Sequence, residues 1–259
     1  MMTLIRSLTV ARLLATSFLA LAGLAGAAHA ASFSNGTFDT FSGTSDRAVT
    51  NSNSGAWRVV NPASGPISVI TPALANTSYS STPFGTITLG HNNTFTAAPG
   101  GGTTQNFLAM ENISNACGCY IYQTITGLVV NASYSVGFYQ AGAVWSGSTL
   151  ATTEFWKVGW GTTTTTSIAS QTNSSTINTP VLGFSGWIPQ QMQFVATATQ
   201  MVLSFMANGS PTGQPPFALL DGVTLTQVQS PEPASAALII SGLIGLIGMR
   251  RAARRRASA

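Results

Sequence analysis

Charge is scarce in this chain. Of 259 residues only 10 are Lys or Arg and 6 are Asp or Glu, where a soluble domain usually devotes about a quarter of its residues to charge. That argues against an ordinary cytosolic enzyme and against a charge-driven disordered tail. Histidine is limited to 2 residues, so a Ser/His/Asp triad would have to use His91 in the polar loop Gly90-His91-Asn92-Asn93. No Gly-x-Ser-x-Gly elbow accompanies it, because Gly183-Phe184-Ser185-Gly186 departs from that spacing. The only midchain glutamates are Glu111 and Glu154, each expected as an isolated acid on the solvent face of a strand, which leaves a paired-carboxylate glycosidase little to work with. Cysteine is confined to Cys117-Gly118-Cys119. A metal site would need further Cys or His ligands, so the pair stands either as a short local disulfide or as two free thiols. Helical periodicity is absent from the middle of the chain.

What charge there is lies mostly at the ends. Arg6 and Arg12 sit near the start and Arg250, Arg251, Arg254, Arg255 and Arg256 near the finish, while residues 31–229 hold Arg47, Arg58 and Lys157 against Asp39, Asp46, Glu111, Glu154 and Asp221, a net of −2. Three scattered cations cannot neutralise a run of phosphates, so no nucleic-acid partner is expected.

The first thirty residues have the parts of a secretory signal peptide: Arg6 and Arg12, an apolar stretch from Leu13 to Leu24, and the small-x-small site Ala28-His29-Ala30. Signal peptidase cleavage after Ala30 is expected. At the other end, residues 230–259 carry Pro231-Glu232-Pro233, then an uncharged apolar run from Ala234 to Met249, then the arginine cluster. As a helix this run reaches about 24 Å, so snorkelling arginines must help it span a core of roughly 30 Å, and their charge keeps this end cytoplasmic. The two prolines favour extended backbone and suit a protease-accessible hinge.

This tail resembles the PEP-CTERM sorting signal of Gram-negative bacteria. The resemblance implies a protein held transiently in the inner membrane by one transmembrane helix, then processed by an exosortase near Pro231 and delivered to the cell surface or the extracellular matrix. It also implies an association with exopolysaccharide.

The middle, residues 31–229, has the size of one domain. Its pattern alternates with period two: Tyr134, Val136 and Phe138 share a face, as do Met192, Phe194 and Ala196, and Met201, Leu203 and Phe205. Turn clusters at Asn61 to Pro66, Pro99 to Gly102 and Asn208 to Pro216 punctuate the strands, and Thr162 to Thr166 reads as exposed strand or loop. Many short strands with such punctuation predict an all-β sandwich. Trp156 and Trp160 share a strand face and are expected in its interior.

Read in order, Asn35-Gly36-Thr37-Phe38-Asp39, Trp57, Asn106 to Met110, Gln123 to Leu128 with Ala132 to Phe138, Gly186-Trp187, and Leu219 to Leu225 resemble galactose-binding-domain-like jelly rolls, which include many carbohydrate-binding modules. The resemblance implies a jelly-roll β-sandwich and a structural Ca²⁺ held by Asp39 and Asp221. Independently of it, strict alternation places Phe217, Leu219, Asp221, Val223 and Leu225 on one face. A carboxylate among such core residues must be protonated, hydrogen-bonded or bound to a cation, unless a bulge at Gly222 turns it to solvent. For stacking on sugar rings, Trp145 in a Gly-rich loop and Tyr79 amid Ser and Thr are the candidate platforms.

The reading is therefore an exported, noncatalytic surface or matrix protein that contacts polysaccharide. The alternatives are a structural matrix or adhesion protein without specific glycan binding and, last, a small hydrolase using Glu111 or Glu154.

Overall fold

A computed structural model describes residues 31–111, 118–211 and 216–228. The signal peptide, the sorting tail with its Pro231-Glu232-Pro233 motif, apolar run and arginine cluster, and Cys117 lie outside the described residues. Among the described residues no helix is long and apolar enough to cross a membrane.

The strands are β1 Arg58–Val60, β2 Ile67–Ile70, β3 Tyr79–Ser81, β4 Gly85–Ile87, β5 Phe107–Glu111, β6 Tyr120–Thr126, β7 Ser133–Val144, β8 Thr152–Gly161, β9 Gln171–Asn173, β10 Ile177–Thr179, β11 Ile188–Val195, β12 Gln200–Ser210 and β13 Pro216–Gln227. Two short helices interrupt them, α1 Pro72–Ala75 and α2 Thr164–Ala169. One sheet runs β11-β7-β13-β5-β2; the other runs β1-β6-β12-β8-β10, with β9 also on β8; β3 and β4 form a separate hairpin.

The pairing is nested. Among β5, β6, β7, β8, β10, β11, β12 and β13, the first pairs antiparallel with the last, β6 with β12, β7 with β11, and β8 with β10. A long hairpin wrapped round on itself gives this order, and the fold is a jelly roll, as the sequence implied.

The wrap is held by what lies between the sheets. Phe205 is fully buried, with Trp57 at 6.0 Å, Trp156 at 6.0 Å and Phe138 at 5.3 Å between ring centroids, all three edge-on to it. Such edge-to-face pairs add to the gain from burial alone. Each β8 tryptophan also satisfies its indole N–H on the opposite sheet: Trp156 Nε1 donates to the Leu219 carbonyl at 3.1 Å and Trp160 Nε1 to the Val195 carbonyl at 3.0 Å. Trp57 Nε1 donates to the Asn35 carbonyl at 2.9 Å, which fixes the opening segment over the same core.

A second apolar cluster covers one end of the outer face of the first sheet. Phe107, Ala109, Ala141, Ala143, Phe217 and Leu219 meet Tyr79, Ile87, Leu89, Phe95 and Phe184 there. This is why β5 is buried along its whole length although only Leu108 and Met110 join the inner core.

Three local expectations are corrected. The alternation of β13 breaks at Gly222, which has φ of 58° and sits in a register shift between Asp221 and Thr224. Phe217 and Leu219 face the outer cluster, while Val223 joins Ala218 and Leu220 in the inner core, so the five residues do not share one face. The threonine run forms α2, because Thr163 caps it: its hydroxyl accepts from Thr166 N while Thr166 Oγ1 accepts from Thr163 N. Asn208, Gly209 and Ser210 belong to the end of β12 rather than to a turn.

Replacing Phe205 by Ala removes the ring on which three others converge. We expect a loss of about 3–5 kcal/mol in unfolding free energy, read as a lower midpoint in urea denaturation with an unchanged slope.

Candidate functional site

The outer face of the second sheet carries two tyrosines side by side. In β6, Ile121, Gln123 and Ile125 turn inward and are buried, like Cys119 just before it, so alternation turns Tyr120, Tyr122, Thr124 and Thr126 outward. The two tyrosine rings lie 6.1 Å apart, tilted by 48°. Register places Arg58 of β1 beside Tyr122, Tyr122 beside Ser204 of β12, and Val60 beside Tyr120. Further across, Met206 pairs with Lys157 and Asn208 with Phe155 of β8. Arg58 and Lys157 thus lie on either side of the tyrosines, three strand spacings or about 14 Å across the sheet and two residues out of line along it. Arg58 Nη1 donates to the carbonyls of Gly55 at 2.9 Å and Trp57 at 3.0 Å; Arg47, outside this face, donates to the carbonyls of Val69 at 2.6 Å and Gly43 at 2.7 Å.

Helix α2 closes the remainder of that face. It sits so near that a Cβ on Gly159 would lie 2.2 Å from the Ser167 carbonyl and one on Gly161 2.3 Å from Ser167 N. Ser167 Oγ and Ser204 Oγ, 2.5 Å apart, bond beneath it. What α2 leaves uncovered is the tyrosine strip of β6, with Arg58 at its side.

Of the platforms chosen from the sequence, Trp145 is half-buried against the second cluster, 6.4 Å from Phe217. Tyr79 is not a platform. It is 4% exposed, its hydroxyl has no hydrogen-bond partner, and burial together with the charge of Glu111 pushes its pKa far up. Polar neighbours in the sequence did not reveal that the β3–β4 hairpin lies face-down on the outer cluster. Tyr120 and Tyr122 are the residues the sequence reading missed; the signal was the alternation of residues 119–126.

Glu111 and Glu154 were expected on solvent faces, and both are buried. Glu154 lies between the sheets, where Thr152 Oγ1 and Thr179 Oγ1 donate to its carboxylate; a Cβ on Gly142 would come within 2.3 Å of its Oε2. Glu111 follows Ala109 on the outward side of β5, near Tyr79. The first sheet separates the two carboxyl groups, so they cannot flank one glycosidic bond. His91 Nδ1 lies 2.8 Å from the Leu89 carbonyl oxygen. Cys119 is engaged in a disulfide, and Cys117 is the only other cysteine of the chain.

Asp39 and Asp221 do converge. Both press on the turn before β5: a Cβ on Gly102 would lie 2.0 Å from Asp39 Oδ2, and one on Gly101 2.6 Å from Asp221 Oδ2. Asp39 accepts from Thr103 N at 3.2 Å, Thr104 N at 3.1 Å and Thr104 Oγ1. Burial alone would raise its pKa, but these bonds and one from Thr37 outweigh it and hold the carboxyl below its usual range. Asp221 is 1% exposed despite the bulge at Gly222. Its Oδ1 accepts from Gly222 N at 2.7 Å and its Oδ2 is buried without a partner. Burial, with the charge of Asp39, raises its pKa to about 7. Two hard oxygen donors, one orphaned, fit a cation that takes its other ligands from backbone carbonyls. Among the described residues no cluster of three or more His, Cys, Asp or Glu side chains offers an alternative metal site.

No family model matches the chain, and no curated protein matches it. Among solved structures, it is similar to TmCBM61 in complex with β-1,4-galactotriose, at 12% identity over 76% of this chain and 97% of that one with a TM-score of 0.37. It is similar to the CBM22-1 xylan-binding domain from Paenibacillus barcinonensis Xyn10C, at 11% identity over 56% and 82% with a TM-score of 0.31. It is also similar to the Stig cyclase Fisc from Fischerella sp. TAU, at 12% identity over 77% and 97% with a TM-score of 0.43. These low values leave the jelly roll resting on its strand pairing and carry no ligand with them.

Burial raises the pKa of both Glu111 and Glu154 to about 7. A carboxyl with a raised folded-state pKa holds its proton more tightly when folded, so its stability contribution is present at low pH and is lost as pH climbs from about 4.5 through 7. We expect a higher Tm at pH 5 than at pH 8 in calorimetry without divalent cations. Glu154→Gln should flatten that slope and raise the pH 8 Tm by about 3 °C or more, on the basis of roughly 1 kcal/mol per 2–4 °C.

Proposed function

We propose that this is a noncatalytic carbohydrate-binding jelly roll that holds polysaccharide on the outer face of its second sheet. The observation that carries the reading is the half-exposed Tyr120–Tyr122 pair on the outer face of β6, with Arg58 beside Tyr122. Sugar rings present apolar C–H faces that stack on aromatic rings, while their hydroxyls take hydrogen bonds from neighbouring polar groups. Here the exposed Thr124 on the same face of β6 and Arg58 beside Tyr122 offer such groups, and the guanidinium suits a polysaccharide that carries some acidic sugars.

The chain's ends support the setting. A signal peptide cleaved after Ala30 and a PEP-CTERM-like tail read by an exosortase near Pro231 would export the domain and deliver it to the cell surface or matrix of a Gram-negative bacterium, where exopolysaccharide is at hand. Asp39 and Asp221 would hold Ca²⁺, whose charge would offset two crowded carboxylates and so tie the opening segment to the last strand.

Affinity electrophoresis of the purified chain through gels containing the producing organism's exopolysaccharide tests the site. Tyr120→Ala and Tyr122→Ala should each weaken retention about tenfold, equivalent to 1.4 kcal/mol, whereas Trp145→Ala should leave it unchanged. Equal mobility of wild type and variants in every gel would leave the structural-matrix alternative.

Adding Ca²⁺ at pH 8 should raise Tm by several degrees through preferential binding to the folded state. Asp221→Asn should melt higher than wild type in chelator and show no response to Ca²⁺. A wild-type Tm indifferent to Ca²⁺ would remove the cation from this account.

A further inference from the structure

The outer face of the first sheet is only half covered. Beyond the second apolar cluster it opens into a groove of about 550 Å³ between β11 and β13. Its floor is Gly137, paired with Gln191 on one side and Thr224 on the other. A Cβ on Gly137 would meet Thr224 Oγ1 at 2.7 Å, so the glycine is what keeps the trough open. One step along β7, half-buried Tyr139 lies between Pro189 and Asp221. Gly100 walls the upper end so closely that a Cβ there would sit 2.5 Å from the Tyr139 ring.

The lining is an aromatic ring, an exposed proline, an amide and a hydroxyl, with no charged side chain lining the trough among the described residues. Gln191 is positioned, its Nε2 donating to Ser135 Oγ at 2.9 Å, which leaves its Oε1 to accept from a ligand hydroxyl. Thr224 Oγ1 lies across the floor, 3.4 Å from the Gly137 carbonyl. A phosphate or carboxylate would find no counter-charge here, and a purely apolar ligand would strip water from the amide and the hydroxyl without replacing it. A neutral pyranose satisfies both demands: its C–H face suits Tyr139 and Pro189, and its hydroxyls suit Gln191 and Thr224.

We propose that this trough is a second saccharide site, selective for neutral sugars, and that it lets one domain bridge two polysaccharide chains. The bridging rests on the Tyr120–Tyr122 reading; the trough itself does not. The two surfaces lie on opposite sheets, whose backbones stack about 10 Å apart, so one chain cannot occupy both as a single flat site.

Saturation-transfer NMR on the purified full chain with a panel of cellotriose, mannotriose, galactotriose and xylotriose tests it. At least one trioside should show transfer, reduced about tenfold by Gln191→Ala, a change at an exposed position, and by Tyr139→Ala. Gly100→Ala, which forces the ring to move, should also reduce it. The Tyr120→Ala/Tyr122→Ala double variant should keep the trioside signal while losing retention in exopolysaccharide gels, so failure of one site is distinguishable from failure of the other. Wild-type chain should raise the viscosity of exopolysaccharide solutions, and either site's variant should not. Absence of transfer from every trioside, or transfer that survives Gln191→Ala and Tyr139→Ala, overturns the second site.

Discussion

The structure depends on a layer of aromatic rings between two sheets. With so few charges available, the cohesion of the sandwich comes mainly from removing apolar surface from water. Phe205 sits where Trp57, Phe138 and Trp156 meet. Because Trp156 and Trp160 satisfy their N–H groups on carbonyls of the facing sheet, the same residues that fill the interior also set how the sheets are aligned. A filler without a polar handle would bury as well but would orient less.

Burying acids in such an interior demands local compensation, and the three buried carboxyls receive different amounts of it. Glu154 is met by two threonine hydroxyls and Asp221 by one backbone N–H, while Glu111 owes its raised pKa to burial alone. Asp39, at the surface, collects three bonds around the turn before β5 and stays ionised easily. The contrast between Asp39 and Asp221 across a few glycines makes that corner the most polarised part of the sandwich. It lies directly behind the wall of the neutral trough.

Each sheet is covered over part of its outer face, the first by the second apolar cluster and the second by α2. What remains open differs in chemistry. The second sheet shows tyrosines beside Arg58, and the first shows tyrosine beside amide and hydroxyl groups. A jelly roll with both faces partly open is suited to contacts on two sides, whereas a single cleft would have needed only one.

Period-two alternation in 132–141, 192–196 and 201–205 determined the all-β class and which residues of those strands face the core, because facing is local to a strand. The order of short motifs along the chain pointed to the jelly roll, and the nested pairing agrees. The convergence of Asp39 with Asp221 was legible in the same way. Three things were not. A bulge at Gly222 was foreseen as an alternative, but not that Asp221 stays buried behind it, because the geometry of a bulge is set by the partner strand as much as by its own residues. Tyr79 is hidden because a hairpin folds down on it, which its Ser and Thr neighbours do not announce. The gathering of Arg58 with Tyr120 and Tyr122 was decided only by tertiary structure, since they come from two strands far apart in the chain. Which side chain stands beside which across a sheet follows from pairing register, and register is settled by the packed core as a whole.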